Sequence, residues 1–201
     1  MESNLILIDA FKELINIGIG RAASKMSQFI QSKVYIYVPE IEFIEASNLK
    51  EKIDFKDKYF SSSILKFSKD ISGESLLAFE SKNAEIIANL IIEKNNINIE
   101  QEFKKRELIH EIGNICLNAI MGTLSSLLDL QIKYYPPIYY ENLFKDIFSF
   151  LSPSITSKAA IIKSRFQIKE QNIDGMFIIL IDEKSYKNIA AKIKEKYREI
   201  I

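Results

Sequence analysis

The sequence predicts an α/β (α+β) fold duplicated internally: a mostly antiparallel six-stranded sheet made by two halves, with two long helices displayed on one side. Two observations predict it. The order helix, strand, hairpin, helix runs through the chain twice. Matching residues also keep their offsets, 98 positions from Asn16 to Asn114 and 102 from Gly73 to Gly175, so that only loops differ in length. Two copies at a period near 100 residues make a duplicated domain rather than a solenoid, here one domain over 1–201 with repeats of about 1–97 and 98–201.

The first helix spans Ser3 to about Gln31, where Phe11, Leu14, Ile15, Ala22, Met26 and Phe29 recur at intervals of three and four. Gly18 and Gly20 weaken or kink it, since glycine costs up to about 1 kcal/mol relative to alanine inside a helix. "KVYIYVPE" is a strand that stops at Pro39, because β-branched and aromatic residues suit a pleated surface and proline breaks the ladder. Beyond an irregular stretch, alternation around Leu65 and Phe67 gives a second strand. The turn "ISGE" then leads to the strand "SLLAFE", and "KNAEIIANLIIEK" is a helix. The second half follows the same plan, with helical "QEFKKRELIHEIGNICLNAIMGTLSSLLDL" and the strand "QIKYYPP", which again ends in proline. After these come the strand "AAIIKSRFQI", the turn "NIDG", the strand "MFIILID" and a helix with Tyr186, Ile189, Ala190, Ile193 and Tyr197 on one face.

Composition narrows the function classes. Nearly half of the 201 residues are apolar, enough for a sizeable core. Twenty-seven basic side chains balance 27 acidic ones, which leaves no global attraction to nucleic acid or an anionic membrane. The single cysteine, Cys116, cannot form an intramolecular disulfide and fits a reducing compartment. The start "MESNLILIDA" is acidic where an export signal is basic, and the longest strongly apolar run, "MFIILI", is far short of the roughly 20 residues of a spanning helix. The expectation is a cytoplasmic protein with no membrane insertion.

The chemistry concentrates in "DAFKELIN". At about 100° per residue, Asp9 and Asn16 lie roughly 40° and 60° to the same side of Glu13, so all three can face one partner. "ELIHEIGN" repeats the spacing with Glu107, Glu111 and Asn114, and a proline follows each asparagine by 23 positions, Pro39 and Pro137. Taken singly, either stretch is an ordinary solvated helix face. The shared spacing of acid, Glu, Asn and Pro is what singles them out.

At these residues the sequence resembles the CheC, CheX and FliY chemotaxis phosphatases, whose signature is Asp or Ser, three residues, Glu, two residues, Asn, twenty-two residues and Pro. The glycines of "NIGIG" and "EIGN" are similar to that family too, and the two-copy layout is that of CheC-type members. The resemblance implies a CheC-like fold with pseudo-twofold halves and two sites, with Glu13 and Asn16 the functional pair of one and Glu111 and Asn114 that of the other. Asp9 matches the leading position of the pattern; Glu107 is one methylene longer. Both are expected to contact the substrate, and the prolines to be structural.

An asparagine amide is no base near neutral pH, but it offers an acceptor and two donor hydrogens, which suits it to holding a water in line with phosphorus. The resemblance implies the remaining parts: a phosphorylated CheY-like response regulator bringing an acyl phosphate, a bound Mg²⁺ and an active-site Lys that would pair with Glu13 and Glu111. The chain needs no cofactor or metal of its own. The competing reading, also implied by the family, is a regulatory module that binds a CheD-like receptor deamidase. A rotor-associated relative of FliY is disfavoured, since no domain beyond the two halves is evident.

Four other features are decoys. "GIGRAA" fits a dinucleotide fingerprint formally but follows a helix rather than a strand, which favours close packing. His110 is the only histidine, too little for zinc, and is expected at a surface or interface. Cys116 sits among Ile115, Leu117 and Ile120 as a buried small hydrophobe. The Lys-rich "EFKKRE" and "KNIAAKIKEKYRE" are read as solvated faces.

Overall fold

Hydrophobic spacing decides the long helices. In the computed structural model, which describes residues 2–52, 58–95, 101–151, 158–168 and 170–198, α1 (Glu2–Ile30) buries Leu7, Phe11, Ile15, Ile19, Ala22, Met26 and Ile30. One residue every three or four makes a single apolar stripe. β1 (Val34–Glu45) follows, then a 3-10 turn Ala46–Asn48 and the short helix α2 (Leu49–Lys52). β2 (Tyr59–Lys69), β3 (Gly73–Glu80) and α3 (Ser81–Asn95) complete the first half. The second half comprises α4 (Gln101–Leu127), β4 (Ile132–Tyr134), β5 (Ile138–Leu143), α5 (Phe144–Phe150), β6 (Lys158–Ile168), β7 (Gln171–Ile181) and α6 (Glu183–Arg198). The boundary expected near 97–98 lies outside the described residues, as do the side chains of Pro39 and Tyr197.

Every strand pairing is antiparallel, in the order β1-β6-β7-β3-β2-β4, with β5 also on β2. The order reads alike from either end once β4 with β5 is taken as the counterpart of β1. At its centre Leu76 lies opposite Ile178, 102 positions away, the same offset as Gly73 to Gly175. The halves interleave: β1 of the first half pairs only with β6 of the second, and β4 and β5 pair with β2 of the first. Duplication extends to the helix ends. Gln31 and Asp129, 98 positions apart, both take the left-handed conformation (φ 54 and 51) just past α1 and α4. Beside them Ser27 Oγ accepts from the Val34 N–H at 2.9 Å, and Ser125 Oγ donates to the Leu130 carbonyl at 2.6 Å.

Among the described residues the sheet has seven strands rather than six, because proline splits the second counterpart of β1 into β4 and β5. The first copy is not ended by its proline. β1 runs on through Pro39 to Glu45 with a register shift between Tyr37 and Glu40, which an edge strand tolerates because its outward N–H groups have no ladder to serve. The expected turn "NIDG" lies inside β7 instead. A Cβ on Gly175 would stand 2.6 Å from Phe79 and 2.8 Å from Phe166, so this glycine answers to close packing rather than to a turn.

Alternation along the strands gives the sheet two buried faces. Leu65, Phe67, Leu77, Phe79, Ile162, Phe166, Phe177 and Ile179 join α1, α3, α4 and α6 in the main core. Phe60, Ile64, Leu76, Ala78, Ile161, Met176 and Ile178 form a smaller core with Leu49, Phe144 and Ile147, under α2 and α5. Both motif helices therefore lie on the same face of the sheet.

Candidate active site

Burying the stripe of α1 leaves its other side in solvent. Asp9, Glu13 and Asn16 are all exposed, as the helical spacing requires. On α4 the corresponding set is less open: Glu107 is exposed, but Glu111 and Asn114 are half-buried. The cause is packing on more sides, since α4 touches α3, β2, β3 and β5 as well as α1. Each triplet occupies one face of its own helix, so the structure presents two sets of acid, Glu and Asn.

The two helices meet closely beyond their motifs. A Cβ on Gly18 would lie 2.9 Å from the Ile120 Cα, so glycine lets the backbones approach, while nothing lies within 4 Å of a Cβ on Gly20. Arg21 Nη1 donates to Thr123 Oγ1 at 3.2 Å across the same junction. Gly18 and Gly20 leave α1 a continuous helix with no strand leading into it, which removes the dinucleotide reading of "GIGRAA".

Around α4 the structure adds partners that the sequence did not announce. His110 Nε2–H donates to the Pro137 carbonyl at 3.0 Å, tying the motif helix to the proline that interrupts the strands. His110 is thus a half-buried residue that braces α4. Lys105 is half-buried rather than on the solvated face expected of it, whereas Arg106 is exposed as expected. Lys105 Nζ reaches Glu141 Oε1 at 2.7 Å, and the Arg106 guanidinium lies 5.6 Å from the centre of the Tyr139 ring. Glu141 Oε1 also accepts from Ser61 (3.1 Å) and Ser81 (2.9 Å), and Oε2 from Tyr139 (2.6 Å). Burial pushes the Glu141 carboxyl up, but bonds from Lys105, Tyr139 and Ser81 outweigh it and hold the group at about 2.

That carboxylate makes the brace between β5 and α4 sensitive to acid. Its ordinary value is 4.5 and its folded value about 2, so its contribution to stability is complete above pH 4.5 and is lost as pH falls through 2. Glu141→Gln has no such dependence. In chemical denaturation at a series of pH values, the stability gap between parent and Glu141→Gln narrows between pH 4.5 and 2.

Asn118 was also missed. Its Nδ2 donates to the Asn114 carbonyl at 2.8 Å and to Asn114 Oδ1 at 2.6 Å, and the only sequence signal is its place one turn beyond the motif. Cys116 is fully buried, and desolvation pushes its thiol up to about 12, so no thiolate is available for chemistry there. Among the described residues no three His, Cys, Asp or Glu side chains gather as a metal ion would require, and no helix is long and apolar enough to cross a membrane.

Residues 8–42, which contain the first motif and its proline, match the model of the CheC-like family. Over 134 residues the chain is 26% identical to the CheY-P phosphatase CheC of Bacillus subtilis, covering 65% of this chain and 63% of that protein. Over 131 residues it is 26% identical to the flagellar motor switch phosphatase FliY of the same organism, covering 64% of this chain and 34% of that one. The chain thus spans less than two thirds of the length of these curated relatives. Among solved structures, Thermotoga maritima FliY superposes with a TM-score of 0.74 at 20% identity, over 94% of this chain and 96% of that one. The FliM middle domain of H. pylori gives 0.65 at 11% identity, over 92% and 97%. The CheX–CheY–BeF3–Mg complex of Borrelia burgdorferi gives 0.53 at 13% identity, over 88% and 97%. At these identities the structures speak for the fold alone.

Proposed function

We propose that the chain, similar in sequence to the CheC and FliY phosphatases and in fold to CheX, hydrolyses the aspartyl phosphate of a CheY-like response regulator. The observation that carries the reading is the double display: two helices on one face of the sheet each carry an acid, a Glu and an Asn along one helix face at the same spacing, exposed on α1 and partly exposed on α4. Asn16 and Asn114 orient the attacking water. Glu13 and Glu111 dock to the regulator's active-site Lys, and Asp9 and Glu107 extend that contact by one helical turn.

Such an arrangement is enough because phosphoryl transfer asks a protein mainly for positioning and charge stabilisation. The chain brings the amide; the regulator brings the labile acyl phosphate, its Mg²⁺ and the Lys. Docking a carboxylate against that Lys also fixes the register of the helix over the phosphorus, and close interfacial charge pairs reach coupling energies of roughly 1.5 to 7 kcal/mol. The support for a CheY-like partner is the phosphatase name of the Bacillus subtilis relative and the CheX–CheY complex among the structural neighbours.

A second reading has its own support, since the same fold occurs in FliM. On that reading the chain is a binding module, for example for a CheD-like deamidase, with little or no turnover. A phosphate-release time course on a phosphorylated CheY-like regulator separates the two. Faster loss with the chain than from the regulator alone is the expected result; loss at the regulator's own rate, alongside capture of a CheD-like protein, gives the second reading.

A further inference from the structure

Asn118 stands outside the motif, yet it holds the side chain on which the second motif depends. Its bond to the Asn114 backbone carbonyl is the ordinary return of a helical polar side chain to the turn before it. The bond from the same nitrogen to Asn114 Oδ1, at 2.6 Å, is less ordinary. It takes one of the two lone pairs of that oxygen and restrains the plane of the Asn114 amide, without using the other lone pair or either amide hydrogen. Half-burial of both residues on α4 reinforces the restraint.

The first site lacks this device. At the 98-residue offset that relates the motifs, the counterpart of Asn118 is Gly20, which offers Asn16 no side chain. We infer that Asn118 is a positioning residue for Asn114, so that the second site meets its substrate with an ordered amide while the first must order Asn16 on docking. The inference rests on the phosphatase reading, in which this amide holds the attacking water. Because the amide engages the water rather than the regulator's surface, its ordering acts on kcat and leaves KM nearly unchanged.

Two substitutions test this in opposite directions. In an Asn16→Ala background, where the second site alone is read, Asn118→Ala lowers kcat by about three- to tenfold, the cost of immobilising one side chain during the reaction. In an Asn114→Ala background, Gly20→Asn raises the kcat of the first site by a similar factor; the space beside Gly20 is open, so the new side chain fits. Relaxation measurements on the side-chain amides supply a readout independent of turnover: Asn114 gains mobility in Asn118→Ala, and Asn16 loses it in Gly20→Asn. An Asn114 amide that stays equally ordered without Asn118 overturns the inference whatever the activity. So does a loss of order with no change in kcat. Absence of any accelerated phosphate loss from the parent overturns the phosphatase reading instead, and the positioning role falls with it.

Discussion

Replacing Asn16 and Asn114 together by alanine is expected to lower stimulated dephosphorylation by about 10²- to 10³-fold, the scale of loss when one preorganised polar group is deleted from a transition state. The loss falls on kcat, because the amide binds a water that attacks rather than a surface that docks. Alanine at Glu13 and Glu111 does the reverse and raises KM, since those carboxylates hold the regulator. Folding is not the confounder here. Asn16 is exposed and Asn114 half-buried, neither belongs to the core, and alanine is the better helix former, so the double variant unfolds close to the parent. Single variants divide the activity between the sites. A double variant that still accelerates phosphate loss like the parent rules out the water-positioning role.

How much of this could be read from the sequence depends on the range of the interactions involved. The motif faces were legible because a helix period is local: the positions of Asp9, Glu13 and Asn16 follow from 3.6 residues per turn, and burial of Phe11 and Ile15 leaves them outside. The antiparallel sheet was legible from the strand patterns and their order along the chain. Punctuation by proline and glycine was misread, since both residues mean different things at an edge and in a core. Pro39 sits in edge strand β1 and interrupts only a register, while Gly175 is squeezed between Phe79 and Phe166 inside β7. The difference in burial between the two sites was not legible. It accompanies the packing of α4 against α3, β2, β3 and β5, whose neighbourhood includes the contacts of Lys105 with Glu141 and His110 with Pro137, 36 and 27 positions apart. Glu107, one methylene longer than the Asp of the pattern, is exposed like Asp9. A contrast in burial lies at Glu111 and Asn114, and a contrast in side chain at Gly20 against Asn118.

The glycine of "EIGN" belongs to the same asymmetry, and Gly113→Ala is expected to be the most disruptive small change at either site. A Cβ there would stand 2.0 Å from Ser63 Cβ and 2.3 Å from Ser63 Oγ. Ser63 is fully buried in β2, so relief requires α4 to move off the sheet. Overpacking of this kind costs about 1–3 kcal/mol, which exceeds the gain of up to about 1 kcal/mol from replacing a helical glycine by alanine. Thermal unfolding therefore shifts downward. The motif moves with the helix, because Asn114 is the next residue, and misplacement by about 1 Å can cost on the order of 10² in rate. At the corresponding position α1 carries Ile15, a fully buried core residue, so the first site has no such glycine to lose. Gly113→Ala should thus abolish most activity in an Asn16→Ala background and spare it in an Asn114→Ala background. Ser63→Gly removes the opposing Cβ and should restore both stability and second-site turnover. If it restores stability alone, Gly113 matters to the second site through something other than the distance between α4 and β2.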